Sequence, residues 1–150
     1  MSLSKTLIAW ISILLLCVGC KTAGPNSAPL ASVVVTGNTP GQINRAIEGV
    51  FSRHSYRLIE SGPANCIFEK RASLGANIAY SNWSTPITIR AKTRLAPVGE
   101  ATFRIECTAV HLRDAGSTVE EQLPGRPKSG QFEKMLKEVQ TSLGGGKSAN

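Results

Sequence analysis

Two adjoining stretches of alternating residues constrain this chain more than any other feature. Ile87, Ile89, Ala91, Thr93 and Leu95 alternate with Thr88, Arg90, Lys92 and Arg94. After Ala96-Pro97-Val98-Gly99-Glu100, Phe103, Ile105, Cys107 and Ala109 alternate with Thr102, Arg104, Glu106 and Thr108. A period of two sends successive side chains to opposite faces of a strand. Each stretch therefore has one apolar face and one polar face. With the five-residue connection as a hairpin loop, this is the pattern of an antiparallel sheet covered on one side only.

The cover is legible on either flank. Thr39-Pro40-Gly41-Gln42 reads as a helix start, with Thr39 as cap, Pro40 at the first helical position and Gln42 completing a capping box. Ile43, Ala46, Ile47, Val50 and Phe51 then fall on one helical face, which predicts a helix over 40–53. Near the C-terminus Phe132, Met135, Leu136, Val139 and Leu143 share a second face, with Ser129 as the cap. Val33–Thr36, Tyr56–Glu60 and Cys66–Arg71 read as strands, the last two joined by the turn Ser61–Asn65. Ala72–Pro86 is expected to be a short strand or an irregular loop. Asp114–Ser129 reads as a loop whose middle, Thr118–Leu123, supplies an edge strand.

The resulting order is β-α-β-β-(β)-β-β-α. It predicts an α+β, two-layer sandwich, with an antiparallel sheet of four to six strands and two helices on one face. A single domain over 33–143 accounts for the folded part. The element order resembles the helix-grip type found in some outer-membrane assembly accessory lipoproteins.

The N-terminus carries the most specific motif. Lys5 precedes an apolar stretch, Thr6–Leu16, that is too short to cross ~30 Å of hydrocarbon and reads as a secretory core. It ends in Cys17-Val18-Gly19-Cys20. Small residues before a cysteine resemble the lipobox of bacterial lipoproteins, although Cys17 stands where that family usually has Leu. The resemblance covers residues 1–20. It implies removal of 1–19 as a signal peptide and acylation of Cys20, a stable membrane anchor. Lys21 rather than Asp after the cysteine implies, by the enterobacterial sorting rule, the outer membrane facing the periplasm. Residues 20–32, rich in Gly, Pro, Asn and Ser, are then the lipidated end and a flexible tether. Residues 144–150 read as a disordered tail.

The formal net charge is +7. Processing removes Lys5 and no acidic residue, so the basic excess survives and leaves anionic partners open. Arg90, Lys92 and Arg94 share one face of a strand and Arg104 extends it, partly offset by Glu106 and Glu69, so this sheet face is the candidate surface for an anionic partner. Nucleic acid is not expected, because the compartment is extracytoplasmic and aromatic stacking platforms are lacking.

No catalytic set is evident. His54, His111 and Asp114 are too few and too scattered for a zinc site or a triad, and adjacent Glu120 and Glu121 would point to opposite faces of a strand. No cofactor or metal is expected. Cys66 and Cys107 form an even pair in an oxidising compartment. They are either a disulfide or two buried small hydrophobic residues, and a strand lying between theirs would forbid the bridge. Tyr80 and Trp83 are a candidate aromatic anchor. The expectation is a membrane-anchored, non-enzymatic envelope module that binds a protein or an anionic polymer, or assists assembly. The alternatives are a structural subunit of an envelope complex and a small periplasmic enzyme.

Overall fold

The computed structural model describes residues 28–80 and 86–144. In chain order the elements are β1 (Ala31–Thr36), α1 (Pro40–Arg53), β2 (Arg57–Ser61), β3 (Asn65–Arg71), α2 (Leu74–Ala79), β4 (Thr88–Gly99), β5 (Thr102–Arg113), β6 (Glu121–Gln122) and α3 (Ser129–Gly144). The strands form one antiparallel sheet in the order β1-β5-β4-β3-β2, and β6 pairs with the end of β5. The fold is the expected α+β sandwich, with six strands.

Local chemistry explains the main elements. Thr39 Oγ1 accepts the Gln42 N–H at 3.3 Å, while the Thr39 N–H donates to Gln42 Oε1 at 2.8 Å. This reciprocal box holds two of the amides that the first turn of α1 would otherwise leave unpaired. Ile43, Ile47, Val50 and Phe51 then point inward and are buried. Phe132, Met135, Leu136 and Val139 do the same from α3. Both helices share one core with Val35, Cys66, Phe68, Ala91, Leu95, Ile105 and Cys107 of the sheet. Its aromatic centre stacks Phe51 on Phe68 with ring centroids 4.5 Å apart, and Tyr56 meets the Phe51 edge at 5.5 Å.

The sheet is longer than its apolar alternation suggests. β4 continues to Gly99 and β5 starts at Thr102, so the connection is the two-residue turn Glu100-Ala101 rather than a five-residue loop. Ala101 takes φ 45°, and Gly37 after β1 takes φ 74° and donates its N–H to the Ala101 carbonyl at 2.8 Å. That conformation is strained for alanine and free for glycine. A register shift between Pro97 and Gly99 absorbs the residue that would otherwise make the loop longer.

Two further expectations are corrected. In the described part of the stretch from Ala72, the chain forms not a strand but the short helix α2, which opens after Ser73; residues 81–85 lie outside the described residues. The ordered domain also starts earlier than Val33. Ala31 is buried in register with Cys107, so residues 31 and 32 belong to the sheet rather than to a tether, and the Leu30 N–H donates to the Cys107 carbonyl at 2.7 Å. Residues 1–27 and 145–150, with the signal peptide, Cys20 and tail assigned to them, lie outside the described residues.

Candidate binding face

Strand register sets out the face of the sheet opposite the helices. Arg94 lies between Glu106 of β5 and Asn65 of β3, Lys92 between Thr108 and Ile67, and Arg90 between Val110 and Glu69. Arg104 lies between Val34 of β1 and Ala96 of β4. The four basic residues chosen from the alternation therefore do share one face.

They divide into two kinds. Arg90 is only 27 % exposed and is held by two carboxylates. Its Nε and Nη2 donate to Glu69 Oε1 at 2.8 and 2.6 Å, and its Nη1 and Nη2 donate to the two Glu120 oxygens at 2.6 and 2.8 Å. Hydrogen bonding to Glu120 holds the guanidinium proton more tightly than usual, and the same contact, with the Gly116 N–H, holds the Glu120 carboxyl below its ordinary range. Arg57 adds a longer contact to Glu69 at 3.8 Å. Arg90 is thus the centre of a neutralised network that pins the β5–β6 loop to the sheet, and it offers little charge to a partner.

Lys92, Arg94 and Arg104 are exposed. Among the described residues no carboxylate comes within ion-pairing distance of any of them. Lys92 and Arg94 are about 7 Å apart along β4, and Arg104 is the diagonal neighbour of Arg94 at about 7–8 Å on the backbone. Three cations at that spacing, on a rigid sheet, suit an anion with several charges rather than a single carboxylate.

Of the candidate aromatic anchor, Tyr80 alone lies among the described residues. The Tyr80 hydroxyl donates to the Pro124 carbonyl at 2.6 Å and lies 3.2 Å from His111 Nδ1. Tyr80 is an internal tie between α2 and the segment after β6, and partial burial lowers the His111 pKa. Trp83 lies outside the described residues.

Cys66 and Cys107 are buried free thiols. Cys66 is in register with Thr93, and Thr93 with Cys107, so β4 separates them. Two strand spacings are about 9.6 Å, well beyond the ~7 Å that a disulfide tolerates. Burial pushes the Cys107 thiol up to about 12 and also raises Cys66.

His54, just beyond the end of α1, meets Glu138 of α3 at 3.0 Å. The contact with His54 lowers the Glu138 carboxyl pKa. Among the described residues no group of three or more His, Cys, Asp or Glu side chains is placed to hold a metal ion. No helix among them is long and apolar enough to cross a membrane. Two shallow grooves follow the seam between the free edge of β1 and α3. One, of about 380 Å³, lies over Pro29–Val33 beside Glu133 and Lys137, and one of about 210 Å³ lies over Val34–Thr36 beside Gln140 and Leu143.

No protein-family model matches the chain, and no curated protein matches it. Among solved structures, the chain is similar to the adenylate sensor from AMP-activated protein kinase, crystallised with a ribofuranotide ligand. That likeness has 12 % identity and a TM-score of 0.46, and covers 79 % of this chain and 97 % of the other. A similarity of this size does not define a shared ligand.

Proposed function

We propose that this is a lipid-anchored protein of the bacterial envelope, held by acylated Cys20 on the periplasmic side of the outer membrane. Its role is non-enzymatic: it binds a multivalent anionic polymer or an acidic protein and so serves as an assembly accessory. One observation carries the binding part. Lys92, Arg94 and Arg104 stand exposed on the sheet face opposite the helices, without a carboxylate partner among the described residues. The lipobox-like ending at Cys20 supports the location.

The test is photo-crosslinking of the tagged full-length chain in cells, with the captured species identified by mass spectrometry. The triple variant Lys92→Gln, Arg94→Gln, Arg104→Gln is expected to lose the captured species while keeping its melting temperature. Wild-type capture should fall as ionic strength rises. Equal capture by the triple variant would remove the basic face from the account. An intact mass without acyl chains on Cys20 would remove the anchor.

A second reading, a structural subunit of an envelope complex, is favoured by the open edge of β1. The Val34 carbonyl faces away from β5 and accepts from Gln140 Nε2 at 2.8 Å. By strand parity the Ser32 backbone groups face the same way, above the larger groove. Such an edge can take an added strand. Crosslinks formed from position 32 but not from position 94 would favour this reading.

A further inference from the structure

The end of the sheet where β3 finishes and β2 and β4 begin has an unusual surface. Leu74 and Ile78 lie one helical turn apart on α2, 68 % and 50 % exposed, and no residue of α2 is buried. The helix is not loose. Asn77 Oδ1 accepts the Ile87 N–H at 2.8 Å, the Ala72 N–H donates to the Ile87 carbonyl at 2.8 Å, and Tyr80 ties its far end to Pro124. The two aliphatic side chains are thus fixed facing outward. Val119, in the loop that follows β5 at the same end, is 70 % exposed. Arg71 before α2 and Lys128 before α3 are exposed cations, while of the acids in the loop after β5 Glu120 and Glu121 are paired with Arg90 and Arg113 and Asp114 is half-buried. Exposed aliphatic side chains on a helix preceded by an exposed arginine complement one kind of surface, an apolar boundary beneath anionic headgroups.

The path of the chain points to the same surface. The Ala28 carbonyl accepts a hydrogen bond from Arg126, between β6 and α3. Only residues 21–27 separate Ala28 from Cys20, a reach of at most about 28 Å. We infer that the α2 end of the sheet rests on the anionic lipid surface to which Cys20 tethers it, with Leu74 and Ile78 seated at the boundary between headgroups and acyl chains. This rests on the lipid-anchor reading above. In this stance the strands stand away from the bilayer, and Lys92, Arg94 and Arg104 are reached from the side.

The test uses the full lipidated chain in vesicles of phosphatidylethanolamine and phosphatidylglycerol. An environment-sensitive fluorophore is placed on Leu74→Cys, on Ile78→Cys and, at the hairpin end, on Val98→Cys, which is also exposed. Brominated acyl chains are expected to quench the labels at 74 and 78 several-fold more than the label at 98. Equal quenching at all three positions, on a chain whose mass shows acylated Cys20, overturns the docking face and leaves the anchor standing. A missing acyl mass overturns both. All three sites are exposed, and circular dichroism on each labelled protein confirms that the fold is kept.

Discussion

Replacing Arg90 by methionine is the sharpest probe of how this domain is held together. The change keeps most of the aliphatic stem and deletes the guanidinium. Glu69, whose side chain is only 13 % exposed, would then keep, among the described residues, the 3.8 Å contact with Arg57 as its one ion pair. Removing one partner of a fully buried pair costs about 3–5 kcal/mol, whereas an exposed pair is worth about 0.2–1 kcal/mol. Arg90 at 27 % exposed lies between these limits, nearer the buried one on its Glu69 side. An expected cost is about 2–3 kcal/mol, or roughly 10 °C in melting temperature for a domain of this size. Glu120→Gln, on the more solvated side of the network, should cost about 1 kcal/mol or less.

The pH dependence gives an independent reading of the same contact. Arg90 lowers the folded-state pKa of Glu120. The stability from that carboxylate is therefore fully present above its unfolded-state pKa and is lost as pH falls through the lowered folded value. Urea unfolding of the wild type and of Arg90→Met across the acid range, completed as a double-mutant cycle with Glu69→Gln, measures both effects. A cost below about 0.5 kcal/mol, the range of an ordinary surface change, would refute the network. So would an acid-side slope identical in both proteins.

Three other outcomes follow from the packing. Phe68→Ala removes a ring stacked on Phe51 in the centre of the core and should cost about 3–5 kcal/mol by chemical denaturation. Thr39→Ala deletes the cap of α1 and should cost about 1 kcal/mol by the same measurement, with the fold retained in circular dichroism. In the native unreduced protein Cys66 and Cys107 should resist alkylation and then both react after unfolding; a peptide pair linked by a disulfide between them would contradict the strand order.

What could be read in advance depended on periodicity. The faces of α1, α3, β4 and β5 follow from residues two, three or four positions apart, so the sandwich was visible in the chain. Strand order was not. Whether Cys66 can reach Cys107 depends on β4 lying between β3 and β5, a long-range fact that spacing does not encode. The basic face was legible as a face, but Arg90 was not separable from Lys92 and Arg94. Its partners Glu69 and Glu120 come from a neighbouring strand and from the loop after β5. β5 ends at Arg113, just before the loop expected from Asp114, although Leu112 breaks its alternation. Leu112 lies in register with Thr88, on the side of Arg90, and is nevertheless buried. The loop that returns Glu120 to Arg90 comes back over this part of the sheet. The short helix α2 was missed for the opposite reason. Its apolar pair, Leu74 and Ile78, faces outward, so no core-directed pattern marks it.

The place of β1 has a consequence for how the chain is built. It is an edge strand whose partner in the main sheet is β5, with Ala31 waiting for Cys107 and Thr36 for Thr102. It also packs against α3, the last element of the chain. The first described element therefore stays unpaired until the β4–β5 hairpin exists, and is sealed only when α3 arrives. Contacts that close such long loops come late in folding. Made long before β5, β1 waits unpaired while its partner is built, and it is the strand most in need of protection in that interval.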